Sequence, residues 1–305
     1  QGAFIPSHSR RYRTMSHTLT SASISPVTES IEDIVLRHSG RGMNILPNHL
    51  DSHYCRHAAQ QILSLPRGTI LLTTGFYVAG HPETDGPLGT ITLAKALGRL
   101  GYTPVIVTDR ICNGIFEPEN LPVEYVSVHS DEKDYSMLLS KYAPVCLISI
   151  ERCGHNLRND YANMRGISIA GQTAPIDKMF ELASSSSILT VGIGDGGNEI
   201  GMGNLKDIIS EKLDLVPCTV MVDDLIIATT SNWGAYALVA YLALLSQYDL
   251  FPTYEKIADC LTRMVSLGCV DGVTKKPENS VDGFPPTIEK EIVEALLDAS
   301  MIGAA

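Results

Sequence analysis

Short apolar runs alternate with amphipathic stretches along most of the chain. Thr69 to Thr74, Pro104 to Thr108, Val123 to Val128, Val145 to Ile150 and Ser187 to Ile193 are brief and nearly continuous in apolar residues. Such runs read as strands buried on both faces. A sixth strand falls on Thr219 to Val222 or on Leu225 to Ala228. Between them lie helical patterns. Glu29 to Arg37 places Ile31, Ile34 and Val35 on one face, and a second helix runs from Asp51, positioned as its cap, to Leu65, where Pro66 stops it. Gly89 to Leu100, Asp131 to Tyr142, Asn232 to Gln247, Thr253 to Leu267 and Thr287 to Ser300 complete the helices.

Strands alternating with helices predict an α/β protein: a three-layer, Rossmann-like, mostly parallel sheet with helices on both faces and an N-terminal helical extension. No linker divides residues 29–305, which are expected to form a single α/β domain. Residues 1–28 differ. They contain no Asp or Glu but carry Arg10, Arg11, Arg13 and many Ser and Thr. That composition reads as a disordered tail or as a mitochondrial targeting segment, so the matrix is the expected compartment and the cytoplasm the alternative.

Composition narrows the function. A formal net charge of −11 with no basic stripe argues against nucleic acid as a partner. The longest apolar stretch, Ala235 to Leu245, is about half of the roughly 20 residues a membrane span needs, so no membrane partner is expected. Seven scattered cysteines without a C-x-x-C point to neither a disulfide framework nor a zinc site. A small-molecule substrate remains, with a homodimer as a candidate assembly.

In a parallel sheet, ligands gather beyond the carboxyl ends of the strands. The polar and glycine residues of this chain sit at those ends: Thr73, Thr74 and Gly75 with Asp85 after the first strand, Asp109 after the second, Glu151 to Tyr161 after the fourth, Asp195 to Glu199 after the fifth and Asp223-Asp224 after the sixth. Glu151 becomes a general acid or base if burial raises its pKa. Arg152 or Arg158 can clamp a carboxylate, though a structural ion pair explains either equally well. Thr73 and Thr74 with Asp85 resemble an anion-cradling loop at a helix N-terminus, or Asp85 caps that helix. Thr229 to Asn232 reads as a cap, and His53, His57, His81 and His155 as loop hydrogen-bonders.

The densest signal is Gly192-Ile-Gly-Asp-Gly-Gly-Asn-Glu-Ile-Gly-Met-Gly-Asn204, a buried strand emptying into a glycine-rich turn that leads into a helix. Asp195, Asn198 and Glu199 offer hard oxygen ligands there. With Asp195 and Glu199 as the metal pair they suit Mg²⁺ or Mn²⁺ better than zinc, while capping accounts for one or two of them. Gly192 to Gly197 also fits G-x-G-x-x-G, with Asp223 ending the next strand, which is the layout of a dinucleotide site. A carboxylate inside the turn repels pyrophosphate, so no NAD is expected.

Three segments together carry a more specific likeness. Thr74-Gly-Phe-Tyr77 with Glu83-Thr-Asp-Gly-Pro87, Glu151-Arg152 with Gly154 and Asn156, and the long glycine-rich motif resemble the D-glutamate cyclase family over about residues 50–300. The resemblance implies a hydro-lyase that converts D-glutamate to 5-oxo-D-proline with loss of water, in animals in the mitochondrial matrix. On that chemistry Glu151, Asp195 and Glu199 are the expected catalytic residues. Thr73, Thr74, Asp85, Arg152, Asn156, Arg158 and Asn198 are expected to hold the amino-acid substrate. The alternatives are a dinucleotide-binding oxidoreductase and a non-catalytic amino-acid-binding module.

Overall fold

The computed structural model describes residues 29–301. The expectations for residues 1–28 lie outside that range. Six strands form one sheet in which every neighbouring pair is parallel: β1 (Thr69–Thr73), β4 (Thr103–Asp109), β5 (Val123–Val126), β6 (Cys146–Ile150), β7 (Leu189–Gly194) and β8 (Asp224–Ile227). Their order across the sheet is β5-β4-β1-β6-β7-β8. The chain therefore builds outward from β1 in one direction, then returns to build from β6 in the other. Between β1 and β6 the order reverses, and the crevice beyond their carboxyl ends is the switch point where such folds bind ligands. A two-stranded hairpin, β2 (Tyr77–Val78) and β3 (His81–Pro82), stands over this edge.

Helices α1 (Ile31–Val35), α2 (Tyr54–Ser64), α3 (Pro87–Arg99), α7 (Ser231–Ser246), α8 (Tyr254–Ser266) and α9 (Pro286–Met301) pack together as one layer. Right-handed crossovers put α4 (Glu132–Tyr142), α5 (Asp177–Ala183) and α6 (Lys206–Lys212) on the opposite face. Helix α7 explains its own sequence. It is apolar all round because it is enclosed by α2, α3 and α9 and the sheet, and every residue from Ser231 to Ala243 is buried. Two of its three aromatic polar atoms find a partner on α9, Trp233 Nε1 donating to Glu289 at 2.6 Å and Tyr236 Oη at 3.0 Å, and Tyr241 Oη donates to Glu32 on α1 at 2.6 Å. All seven cysteines are buried and free.

The expected strands and long helices occur, with the sixth strand on the second of its two candidate stretches. Three expectations are corrected. Asp51 does not cap α2; the N-cap is His53, in left-handed backbone. Asp223 and Asp224 do not end a strand but open β8, so they lie at the opposite edge of the sheet from the other acidic turns. There Asp223 accepts from the Thr190 amide at 2.8 Å and Asp224 pairs with His57 at 2.6 Å. The glycine-rich turn does not pass directly into a helix; a 3-10 turn at Met202–Leu205 precedes α6. It folds back on its own strand instead. A Cβ on Gly192 would lie 2.5 Å from the Ile200 carbonyl oxygen, so only glycine admits that approach.

Candidate active site

Glu151 follows the last residue of β6, at the switch point. Its φ of 47° lies in the left-handed region, which costs a non-glycine residue energy and is found where the surroundings force it. Gly86, at φ 93°, makes the space: a Cβ there would meet the Glu151 Cβ at 2.8 Å. The Glu151 carboxyl accepts from Ser231 Oγ at 2.5 Å. Burial raises its pKa well above the usual carboxylate value, and Glu199, Asp85 and Asp282 raise it further. The side chain therefore holds a proton that an exposed glutamate would have lost.

Two neighbours of Glu151 serve the backbone. Glu199 accepts from the amides of Asp195 at 2.9 Å, Gly196 at 2.7 Å and Gly197 at 2.7 Å. These are the N–H groups that would face a pyrophosphate in a dinucleotide fold. Asp85 accepts from the amides of Ser231 at 2.9 Å and Asn232 at 2.7 Å, capping α7. Asn232 returns the contact, accepting from Gly86 at 2.9 Å and Gly89 at 2.7 Å at the start of α3. Burial, then Asp282, pushes Asp85 up to about 7 against the pull of those amides.

One cation enters this acidic nest. Arg41 donates to Asp195 at 2.8 Å, to the Thr229 carbonyl at 3.3 Å and to Asp282. Burial still holds the Asp195 carboxyl well above its usual range, with Arg41 opposing the rise. Glu83 is likewise raised by burial and then by Glu151.

A cavity of about 340 Å³ opens onto this nest. Glu83, Glu151, Asp282, Asn198 and Arg41 form its polar side, and Arg165 and Lys275 stand at its wall. The loop from Cys153 to Ile176 closes it. Asp177 pins that loop, pairing with His155 Nδ1 at 2.6 Å and accepting from Tyr161 Oη at 2.6 Å. Asn198 also holds it, donating to the Ala162 carbonyl at 2.9 Å. A constellation of this kind can hold a small zwitterion with its ammonium on the carboxyls, and can give and take protons there.

Several expected residues do other work. Arg152 does not reach the cavity. It is wholly buried, paired with Asp109 at 2.5 Å and donating to the carbonyls of Gly75 at 2.9 Å and Ala174 at 2.7 Å. Arg158 is exposed and does not line the cavity. Asn156 turns its own loop, accepting from the amides of Arg158 at 2.9 Å and Asp160 at 3.2 Å. Thr73 and Thr74 are buried without a partner for Oγ1 and do not line the cavity, and the α3 N-terminus they were expected to share is filled by Asn232. Asp195 and Glu199 stay with Glu151: the three bring carboxylate oxygens within 4.8 Å of one another, as do Asp85, Asp195 and Asp282.

Comparison with known proteins gives the family of the chain. A family model described as D-glutamate cyclase-like, C-terminal, matches residues 31–297. The chain belongs to that family. The D-glutamate cyclase, mitochondrial, of Homo sapiens is 32% identical over 216 residues, which cover 62% of this chain and 35% of that protein. The chain thus matches about a third of that relative's length. Two solved structures also align. An exopolyphosphatase-related protein from Bacteroides fragilis has a TM-score of 0.38 and 9% identity over 82% of this chain and 58% of that one. The UDP-glucose 4-epimerase of Thermus thermophilus, in complex with NAD, has a TM-score of 0.29 and 13% identity over 59% and 50%.

In this D-glutamate cyclase-like chain the residues that sequence reasoning missed are Arg41, Asp282 and Glu83 as cavity groups, and Ser231 as the donor to Glu151. Arg41 and Asp282 lie in loops of ordinary composition, 241 positions apart, and no local pattern links them. Ser231 was legible only as part of a cap. Glu83 stood inside the motif that runs to Pro87, and its pairing with Asp85 in one short loop was the available signal.

Proposed function

We propose that the cavity cyclises D-glutamate to 5-oxo-D-proline with loss of water. The observation that carries this is the buried, proton-holding carboxyl of Glu151, held in left-handed backbone at the switch point and facing the cavity with Glu83 and Asp282. Family membership supports the substrate and its D configuration. The reaction needs an uncharged α-nitrogen to attack the γ-carboxyl carbon, and an oxygen of that carboxyl to depart as water. The nitrogen sheds two protons and the oxygen gains two, so no co-reactant is required. Glu151 in its neutral form is the donor to the departing oxygen. Asp282, beside Arg41, takes the proton from the ammonium. Arg41 and Lys275 hold the substrate's carboxylates, and the closed loop keeps the substrate folded toward its ring.

The two carboxylate triads would be what holds a hard divalent ion, Mg²⁺ or Mn²⁺, in competition with the amides on Glu199 and Asp85 and with Arg41 between Asp195 and Asp282. Bound there, the ion would supply positive charge beside the departing oxygen. Mitochondrial placement is proposed from the human relative.

Incubation with D-glutamate, with 5-oxo-D-proline followed by chiral chromatography, tests the reading. Glu151→Gln is expected to lower kcat by about 10²- to 10⁴-fold, the usual worth of a positioned acid, with little change in melting temperature. Turnover equal to that of the parent protein removes Glu151 from the mechanism. Turnover that EDTA leaves intact and Mn²⁺ does not raise removes the ion.

A further inference from the structure

The cavity has two chemically different sides, and free glutamate uses only one. Its acidic side is described above. Another part of the lining is apolar: Phe76, Tyr77, Val78 and Ile169. They belong to a small hydrophobic cluster, around Phe76, Cys153 and Ile169, that is separate from the main core. Of this cluster, Phe76, Ile169, Tyr77 and Val78 line the cavity. Ile167 and Val273, which are 59% and 56% exposed, also line the cavity. Glutamate offers two methylenes and three charged groups, so it leaves this wall in water. The volume of about 340 Å³ falls in the range of sites that enclose ligands larger than one amino acid.

Charge points the same way. Beyond Ser231, the ionisable groups gathered at Glu151 are carboxyls, Asp195 and Glu199 among them, with Arg41 shared between Asp195 and Asp282. The neutral Glu151 carboxyl can donate to an uncharged γ-amide carbonyl, which needs no cation of its own there.

We propose, resting on the cyclase reading, that the site also cyclises γ-amides of D-glutamate whose amine carries an apolar group, releasing that amine. The α-nitrogen forms a bond to the γ-carbonyl carbon as the bond from that carbon to the amide nitrogen breaks. The α-ammonium sheds two protons and the departing amine gains two. Glu151 delivers a proton to the departing nitrogen, and the apolar group lies along Phe76 and Ile169 toward Ile167 and Val273. Nothing is oxidised or reduced, and no co-reactant enters.

The test uses the protein as it is, with γ-D-glutamyl-benzylamide, γ-D-glutamyl-methylamide and free D-glutamate as probes. Released 5-oxo-D-proline and amine are measured by chromatography above the uncatalysed background. The benzylamide is expected to exceed the methylamide in kcat/KM by about tenfold or more, the discrimination that apolar contacts give. Ile167→Ser and Val273→Ser, at exposed positions that the fold tolerates, are expected to lower that ratio. Turnover of free D-glutamate with none of either amide, or equal kcat/KM for the two amides, overturns the inference and leaves the cyclase reading standing. Absence of 5-oxo-D-proline from all three probes overturns both.

Discussion

Two arginines stand near the same carboxyl-rich edge and have different tasks. Arg41 is partly exposed and reaches into the cavity, where it balances Asp195 and Asp282. Arg152 is sealed behind the cavity against Asp109 and two carbonyls. Removing one member of a buried pair leaves the other charge without compensation, so Arg152→Met is expected to cost about 3–5 kcal/mol in urea unfolding. Arg158→Ala, on an exposed loop away from the cavity, is expected to leave both stability and kcat/KM within about twofold of the parent, the scale of ordinary surface changes. A loss of turnover in Arg158→Ala without loss of fold would restore that arginine as a substrate clamp.

Between elements, the site depends on how two helix starts interlock. Asp85, in the loop before α3, caps α7, and Asn232, on α7, caps α3, so neither helix can shift without breaking the other's cap. Gly86 lies at the centre of this exchange. An alanine there would sit in the left-handed region with its Cβ 2.6 Å from Thr74 Oγ1 and 2.8 Å from the Glu151 Cβ. Gly86→Ala is expected to lower both melting temperature and kcat, because relief of the clash moves Glu151. Gly98→Ala, within α3 and with nothing within 4 Å of the added Cβ, is expected to stabilise by about 0.5–1 kcal/mol. Thermal unfolding of the pair with parallel assays checks both directions; an active, unshifted Gly86→Ala would show that the crevice tolerates more than its geometry implies.

For the molecule as a whole, the buried acids make stability depend on pH. Asp85 titrates at about 7 in the folded protein against an ordinary value of 3.8. The folded chain thus binds this proton more tightly than the unfolded chain. Its contribution to stability is fully present below the ordinary value and is lost as pH rises through about 7. Glu83, Glu151, Asp195 and Glu289 are raised by burial in the same sense. Melting temperatures measured from pH 4 to pH 8 are expected to fall less steeply toward neutrality in Asp85→Asn than in the parent protein. Parallel curves for the two would show that Asp85 is ionised throughout. If Glu151 acts as the acid, kcat falls along the basic limb, as its proton is lost.

The chain announced its sheet because a strand covered on both faces needs an unbroken apolar run, and that requirement is local. The strands β1, β4, β6 and β7 were legible for the same reason, and the cap at Thr230 was legible from the local run of hydroxyl and amide residues Thr229 to Asn232. So was the gathering of Asp85, Glu151 and Asp195 at one edge, since parallel strands must all end there. The stretches at Thr219 and Leu225 look alike as apolar runs, and only pairing with β7 chose between them. The roles of the polar residues were beyond local pattern. Whether Glu199 binds an ion or three backbone amides, and whether Arg152 or Arg41 faces the cavity, depends on partners from distant segments. Hydrophobic periodicity by itself determined the α/β framework and the edge at which a site could form. Tertiary structure decided which carboxyls keep their protons, because burial and the distance to Arg41 are set by loops brought together only when the sheet reverses its order.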